Sequence, residues 1–423
     1  MGAFHEYSII LKMRRLVFVG SHLGYPMDRT PLGGGAMVGL QLVRHWDPAG
    51  LTVLGSGPVP PRPDVEYVRL PEDAPEKIVS LSELRYAEFC RRFEKATTDW
   101  ILRNVPKGAA VLVNDISEGP TLERLKDYSV SSIWHVDVVD YFNKLYLKSV
   151  LPPETVTALY EGLRRFLPVP DVLQLVFEKQ RETVRRCGVM VLPSSAMAET
   201  VRRCYGEEAA KRCVVVPWGM WTEPVCDEAA RKRAEELRDH YQIGPKTRVV
   251  LTLSRISPEK GLHLLMRALG RIEDRCEDLC VLVCGEAAFM QGERYQALVR
   301  AEAAKLRRAR VFFPGYLDPQ SKRAYFKLAH LFVSPSVHES YGLNVVEALQ
   351  AGLPVLACDH DGSRDVIRDE YGRRVAPSGL ARALEELLRE PAKLAAMGRA
   401  AAKAAEGMPF QRAADKVREV ALA

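Results

Sequence analysis

The sequence predicts an α/β protein made of two doubly wound halves, and three observations carry that expectation. Short β-branched runs alternate with helix-period patterns along the chain, the arrangement of parallel sheets covered by helices. At 423 residues the chain exceeds one ordinary core, so two domains of roughly 200 residues each are expected. Midway, "PWGMWTEPVCDEAARKRAEEL" (217–237) passes from Pro, Gly and Trp into a charged helical pattern that opens a new unit. The expected domains are therefore 1–222 and 223–405, with 406–423 a terminal helix that packs back on the first domain.

In the first half the strand candidates are "RLVFVG" (15–20), "LTVLG" (51–55), "AAVLVND" (109–115), "SSIWHVD" (131–137), "GVMVLPS" (188–194) and "CVVVPWG" (213–219). Helical patterns fall between them at about 35–46, 81–104 and 155–187. In the second half the strands are "RVVLTLSR" (248–255), "LCVLVCG" (279–285), "ARVFFPG" (309–315), "LFVSPS" (331–336) and "LPVLACD" (353–359). Helices fit at about 261–272, 290–307, 319–329, 343–351 and 378–390, and the tail "FQRAADKVREVALA" places Ala414, Val417 and Val420 on one face. No solenoid repeat and no low-complexity segment interrupts this order.

Composition narrows the function classes. A hydrophobic content of 47% with 27% charged residues is globular. The net charge of +6 is spread along the chain, which leaves no nucleic-acid footprint; a mildly basic surface suits anionic ligands or a membrane surface. Nine cysteines and no secretory pattern in "MGAFHEYSIILKM" point to reduced thiols in the cytoplasm. Gly2 lacks the Ser or Thr that a myristoylation signal places downstream. Cys276, Cys280 and Cys284 are spaced by fours but flank a buried-strand pattern and match no zinc signature, so no metal is expected. No apolar run reaches the roughly 18 residues that span a bilayer. The segment 138–178, rich in aromatic, Leu and basic residues, fits an acceptor cleft, a membrane surface or packing inside the first domain.

Four stretches carry candidate chemistry. In "LGGGAMVGLQL" (32–42), Gly33, Gly34 and Gly35 expose backbone N–H groups at a helix mouth near Ala36. That is either an anion site or a plain flexible turn; the spacing is not a dinucleotide fingerprint. In "LSRISPEKGLHLLMRAL", Arg255 ends a strand and Lys260 precedes a helix, so the two cations can bracket a diphosphate; the alternative is a solvated loop with Glu259 paired to one of them. In "SPSVHESYGLNVVEALQAG", Glu339 lies in the loop and Glu347 on an otherwise apolar helix face, where a carboxylate needs a polar partner. Together they can grip ligand hydroxyls; separately, Glu339 would cap the helix and Glu347 would be exposed. His135, in "WHVD", ends a first-half strand and is either structural or directed to a cleft shared by two opposed halves. Asp359-His360-Asp361 has the D-x-D form that holds metal elsewhere, but its place after "LPVLAC" reads as a loop feature.

These stretches resemble the family 4 glycosyltransferases, also described as glycosyl transferases group 1. Glu339 and Glu347 form an E-x7-E motif, with "PS" before it, "YGLNVVEAL" through it and "AGLPVLA" after it. "LSRISPEKGLHLLMRAL", "VLVCGEA", "VFFPGYL", "VVVPWGM", "LPSSAMAETV" and "LGGGAMVGLQLV" fall in the family's order. The likeness is strong over 188–376, clear at 15–45 and thin over 56–185. It implies the GT-B fold, two facing Rossmann-like doubly wound domains with a cleft between them. It also implies a retaining transferase that uses a nucleotide-diphosphate sugar, without a metal or cofactor.

By that resemblance Arg255 and Lys260 hold the diphosphate, and Glu339 bonds sugar hydroxyls. The backbone of Ser340, Tyr341, Gly342 and Leu343 serves phosphate and sugar, and Glu347 takes the ribose. His135 contacts the sugar from the first domain, and Gly34 and Gly35 let its loop approach the diphosphate. Glu286-Ala287 in place of Asp-Gly, Trp218 in place of Asn, and Asp365 in place of Glu depart from the family pattern. They leave the donor's base and sugar open, and the acceptor and oligomeric state are open as well. The alternatives are a GT-B nucleotide-sugar epimerase or hydrolase, a pyridoxal-phosphate glycan phosphorylase, and a nucleotide-sugar-binding protein without turnover. An oxidoreductase lacks its nicotinamide fingerprint in either half.

Overall fold

The computed structural model describes residues 15–26, 33–75, 78, 83–147, 150–164, 166, 177–223, 225–276, 278–287 and 292–423. The chain divides into two compact units, Met1–Trp218 with Gln411–Ala423, and Gly219–Phe410.

The first unit is a parallel sheet in the order β3-β2-β1-β4-β5-β6-β7. Its strands are β1 (Leu16–Val19), β2 (Leu51–Gly55), β3 (Glu66–Arg69), β4 (Ala110–Val113), β5 (Ser129–Ile133), β6 (Val189–Leu192) and β7 (Cys213–Val215). The helices in chain order are α1 (Gly34–His45), α2 (Glu83–Asn104), α3 (Val138–Tyr146), α4 (Pro153–Leu163), α5 (Lys179–Arg186), α6 (Ser195–Tyr205) and α7 (Glu207–Ala210). Strands β1, β2 and β4 are buried throughout, as continuous apolar runs in a sheet covered on both faces must be. The expected helix at 155–187 is corrected to two, α4 and α5. The first ends at Leu163, and residues 165 and 167–176 lie outside the described ones. The first residues of the helices expected at 81–104 and 290–307 also lie outside the described residues.

The second unit repeats the plan in the order β10-β9-β8-β11-β12-β13. Its strands are β8 (Arg248–Leu253), β9 (Leu279–Cys284), β10 (Arg310–Gly315), β11 (Leu331–Ser334), β12 (Val355–Cys358) and β13 (Gly372–Val375). Its helices are α8 (Asp227–His240), α9 (Leu262–Ile272), α10 (Gly292–Ala303), α11 (Pro319–Leu328), α12 (Leu343–Gln350), α13 (Asp361–Val366), α14 (Leu380–Leu388) and α15 (Pro391–Glu406). Leu262, Leu265, Met266 and Leu269 of α9 bury one stripe with Leu380, Leu384 and Leu387 of α14 in one core. The final helix, α16 (Phe410–Leu422), lies almost wholly in the segment that belongs to the first unit.

Both sheets reverse their strand order at the centre, between β1 and β4 and between β8 and β11. In open α/β sheets, ligands bind outside the carboxyl ends of the strands at such a reversal. The candidate residues follow β1, β5, β8 and β11, so the topology itself singles out where they stand.

Candidate active site

In the second unit, β8 runs out at Leu253 and the chain turns through a 3-10 helix, Pro258–Lys260, before α9. Gly261 joins the two with φ +62, and a Cβ there would lie 2.0 Å from the carbonyl oxygen of Pro335. Only glycine fits so close an approach in that conformation. The Val337 N–H also donates to the Glu259 carbonyl at 2.9 Å, so the turns after β8 and β11 are laced together. Glu259 is buried and accepts from the Ser257 hydroxyl at 2.5 Å; Arg255 approaches it at 3.8 Å with its side chain one-third exposed.

That lacing puts Lys260 Nζ 2.6 Å from Glu339 Oε1, with both side chains nearly buried. The Ser336 hydroxyl donates to the same oxygen at 3.1 Å. Burial would raise the Glu339 carboxyl, but the Lys260 ammonium, with His360 and His338, outweighs it and holds the group down at about 2. Glu339 is thus an ionised carboxylate beside a cation, and the cap of α12 is Gly342, at φ +93, not Glu339. Asn344 Nδ2 donates to the Leu253 carbonyl at 3.0 Å and ties the first turn of α12 to the end of β8. The first N–H groups of a helix have no intrahelical acceptors, so Gly342 and Leu343 offer an anion a favourable end.

Tyr341 faces inward: its hydroxyl accepts from the Gly219 N–H at 3.0 Å, and burial pushes the phenol up to about 12. Its side chain therefore packs, and its backbone is what it can offer a ligand. Glu347 is not exposed; Lys322 Nζ on α11 reaches its Oε1 at 2.7 Å and Glu223 Oε1 at 3.3 Å. Burial would lower Lys322, but Glu347 and then Glu223 carry it up to about 12. Nothing in the sequence pattern of α11 marks Lys322, because its partners come from distant stretches. The D-x-D segment is partly helical, since His360 caps α13 by accepting from the Ser363 N–H at 3.1 Å.

In the first unit, α1 starts at Gly34, two residues earlier than expected, and Gly33 caps it at φ +94. The His135 ring lies over Gly35, where a Cβ would stand 2.8 Å from its Cγ. His135 Nε2 bonds Asn114 Oδ1 at 3.1 Å, and burial lowers the imidazole to about 4, so it is neutral. Nearby, His22 Nε2 meets Glu118 Oε1 at 3.2 Å; burial lowers His22, and Glu118 and Asp115 more than reverse this, so it is raised. The structure thus groups Arg255, Lys260, Glu339, Ser340, Tyr341, Gly342, Leu343 and Glu347 around the β8 and β11 ends of one unit. Gly34, Gly35 and His135 stand at the β1 and β5 ends of the other. Lys322, Asn114, His22 and Glu118 were not singled out from sequence. Of these, Asn114 carried a signal, a polar residue directly after a buried parallel strand.

The family described as Glycosyl transferases group 1 matches residues 233–404. Over 204 residues the chain is 26% identical to the serotype-specific mannosyltransferase WbdA of Escherichia coli, covering 48% of this chain and 24% of that protein. Over 248 residues it is 29% identical to a D-inositol 3-phosphate glycosyltransferase of Rhodococcus opacus, covering 57% of this chain and 54% of that one. The matches thus span from about a quarter to about half of these relatives' length. Among solved structures, sucrose-phosphate synthase from Thermosynechococcus elongatus superposes with a TM-score of 0.71 at 17% identity, over 96% of this chain and 98% of that one. HepE of Anabaena, in complex with UDP-glucose, superposes at 0.66 and 15% identity, over 96% and 99%. The fold is the GT-B fold of these glycosyltransferase structures. The second unit, over residues 233–404, is where the chain is similar to the family described as Glycosyl transferases group 1.

Proposed function

We propose that the protein is a retaining, metal-independent glycosyltransferase that moves a sugar from a nucleoside diphosphate sugar to a hydroxyl-bearing acceptor. The observation that carries this reading is the Lys260–Glu339 pair at 2.6 Å, fixed at the reversal point of the second sheet by the glycine-tight turn at Gly261. Lys260, with Arg255 at the neighbouring strand end, supplies positive charge where a leaving diphosphate develops negative charge. Glu339, ionised, accepts hydrogen bonds from sugar hydroxyls. The N-terminal backbone of α12 serves the phosphates, and Glu347, oriented by Lys322, accepts from the ribose hydroxyls. In the transfer the acceptor oxygen bonds the anomeric carbon on the face the phosphate leaves. The C–O bond to phosphate breaks, and the acceptor's proton passes to the departing phosphate oxygen. No side chain has to act as a general base. In the first unit, the neutral His135 offers a hydrogen bond to a sugar hydroxyl, and Gly34 and Gly35 leave open the start of α1, where an anion is favoured. All nine cysteines are free, which supports a cytoplasmic setting.

A thermal-shift panel of UDP-, GDP- and ADP-sugars tests the reading. The true donor at 100 times its Kd should stabilise the protein by about 2.7 kcal/mol. The same donor with the correct acceptor should release nucleoside diphosphate and give a product of unchanged anomeric configuration, in the presence of EDTA. Glu347→Ala should weaken donor binding about tenfold, the loss of roughly one charge-assisted hydrogen bond. No shift with any nucleotide sugar would overturn the reading. Nucleoside diphosphate released at equal rate with and without acceptor would replace it by the hydrolase or epimerase alternative.

A further inference from the structure

We propose that Asn114 is a positioning residue for sugar transfer, one side chain that ties the end of β4 to both His135 and the glycine start of α1. The proposal rests on the glycosyltransferase reading and deepens it. Asn114 is 3% exposed and follows the last residue of β4, at the reversal point of the first sheet. Its Nδ2 faces the Gly35 carbonyl at 3.4 Å, and its Oδ1 faces His135 Nε2 at 3.1 Å. An amide nitrogen can only donate, so the oxygen must be the atom toward the ring, and the ring nitrogen it meets must carry hydrogen. The imidazole is thereby held in one tautomer, with the proton on Nε2 and the lone pair on Nδ1, ready to accept from a hydroxyl.

The surroundings leave the amide no freedom. A Cβ on Gly39 would lie 2.5 Å from Asn114 Nδ2, and a Cβ on Gly35 would lie 2.8 Å from the His135 ring. The two glycines of α1 thus make room for the amide and for the ring it orients. An uncharged amide also suits the electrostatics. Burial lowers His135 and keeps the ring neutral; Asp115, the Asn114 backbone and Glu118, all following β4, act against burial and are outweighed, while His22, which follows β1, adds to it. An aspartate at 114 has nearly the same shape but would add a negative charge against Nε2 and lose the donation to Gly35.

The test is Asn114→Asp in the full chain. His135 is titrated by NMR, its resonance assigned by loss in His135→Gln, beside the pH profile of kcat/KM. The ring should titrate about one to three pH units higher in the variant. At pH 6 transfer should fall in proportion to the fraction of the ring that the shift protonates, up to about tenfold for a shift of about three units, and it should recover to within about threefold at pH 8. Donor affinity should change less than turnover, because Arg255, Lys260, Glu339 and Glu347 stand in the second unit. An unshifted His135, or a shifted His135 with an unaltered pH profile, overturns the proposal. If Asn114→Asp does not fold, Asn114→Ala, His135→Gln and the double variant replace it. Strongly non-additive rate losses support the coupling, and additive losses overturn it. Failure of the glycosyltransferase reading shows up separately, as no transfer by the unaltered protein with any donor. In that case imidazole ¹⁵N shifts still report whether Asn114 fixes the tautomer.

Discussion

Burial alone would push the Glu339 carboxyl upward, and the ammonium of Lys260 at 2.6 Å reverses that and holds it near 2, against an ordinary value of 4.5. A carboxyl depressed on folding contributes stability above its unfolded value, and the contribution is lost as the pH falls from about 4.5 to about 2. Its size is about 3 kcal/mol, since each tenfold change in proton affinity is worth about 1.4 kcal/mol. Acid unfolding should therefore steepen in that window, and Glu339→Gln should flatten it. Lys260→Ala removes the cation and leaves the carboxylate buried beside it, which should cost about 3–5 kcal/mol as well as most of the turnover. The double variant Lys260→Met with Glu339→Gln separates the two effects. Urea unfolding should show most of the stability restored, and assays should show turnover still absent. Restored turnover would mean that the pair is structural alone. Glu347 differs, since Lys322 and Glu223 form a chain that survives its removal, so its loss should appear in donor affinity more than in stability.

At the level of elements, the positions of the strands were legible wherever both faces of a sheet are covered. The runs at 16–19, 51–55, 279–284 and 331–334 are apolar at nearly every position because nothing on either side admits water. The two strands that the sequence did not disclose, "EYVR" of β3 and "GRRV" of β13, are edge strands. A half-solvated edge tolerates charge, so its composition carries little strand signal. The turn between β8 and α9 was legible as a site but not in its geometry, because Gly261's role depends on Pro335, 74 residues further on by subtraction of their numbers. That contact gives a prediction at this scale. Gly261→Ala forces a side chain into a left-handed conformation and against the Pro335 carbonyl, which should cost about 2–4 kcal/mol. Urea midpoints should show the loss, and turnover should fall because Lys260 moves with the turn. A neutral Gly261→Ala would mean that the loops after β8 and β11 shift freely, and the placement of Lys260 would lose its basis.

At the level of the whole molecule, the chain returns to its first unit after completing the second. The last helix presents a periodic apolar face, of which the sequence disclosed Ala414 and Val417. Ala413, Ala414, Val417, Ala421 and Leu422 are all buried. It is also latched by polar contacts that no periodicity reveals: Trp46 Nε1 donates to the Ala414 carbonyl at 2.7 Å, and Arg418 donates to the carbonyls of Asp47 and Ala49 at 2.7 and 3.3 Å. Trp46 in turn meets Phe18 of β1 edge-on at 5.2 Å, so the latch reaches an interior strand beside the reversal point. Removing 411–423 would expose this apolar face and leave the indole N–H without its acceptor. The loss is about 5 kcal/mol from the apolar side chains alone, comparable with the whole stability of a domain. The tryptophans make the outcome readable by unit, since Trp46, Trp100, Trp134 and Trp218 lie in the first and Trp221 in the second. In the truncated chain the fluorescence transition should fall to much lower temperature. A second transition, followed by circular dichroism and raised by the nucleotide sugar, should persist near its original position, because Arg255, Lys260, Glu339 and Glu347 all stand within Gly219–Phe410. Trp46→Phe should reproduce a smaller part of the fluorescence shift, on the order of 1–2 kcal/mol, by removing the indole hydrogen bond to the Ala414 carbonyl. If truncation moved both transitions together, the donor site would depend on the first unit's integrity, and the independence of the two units in binding would have to be given up.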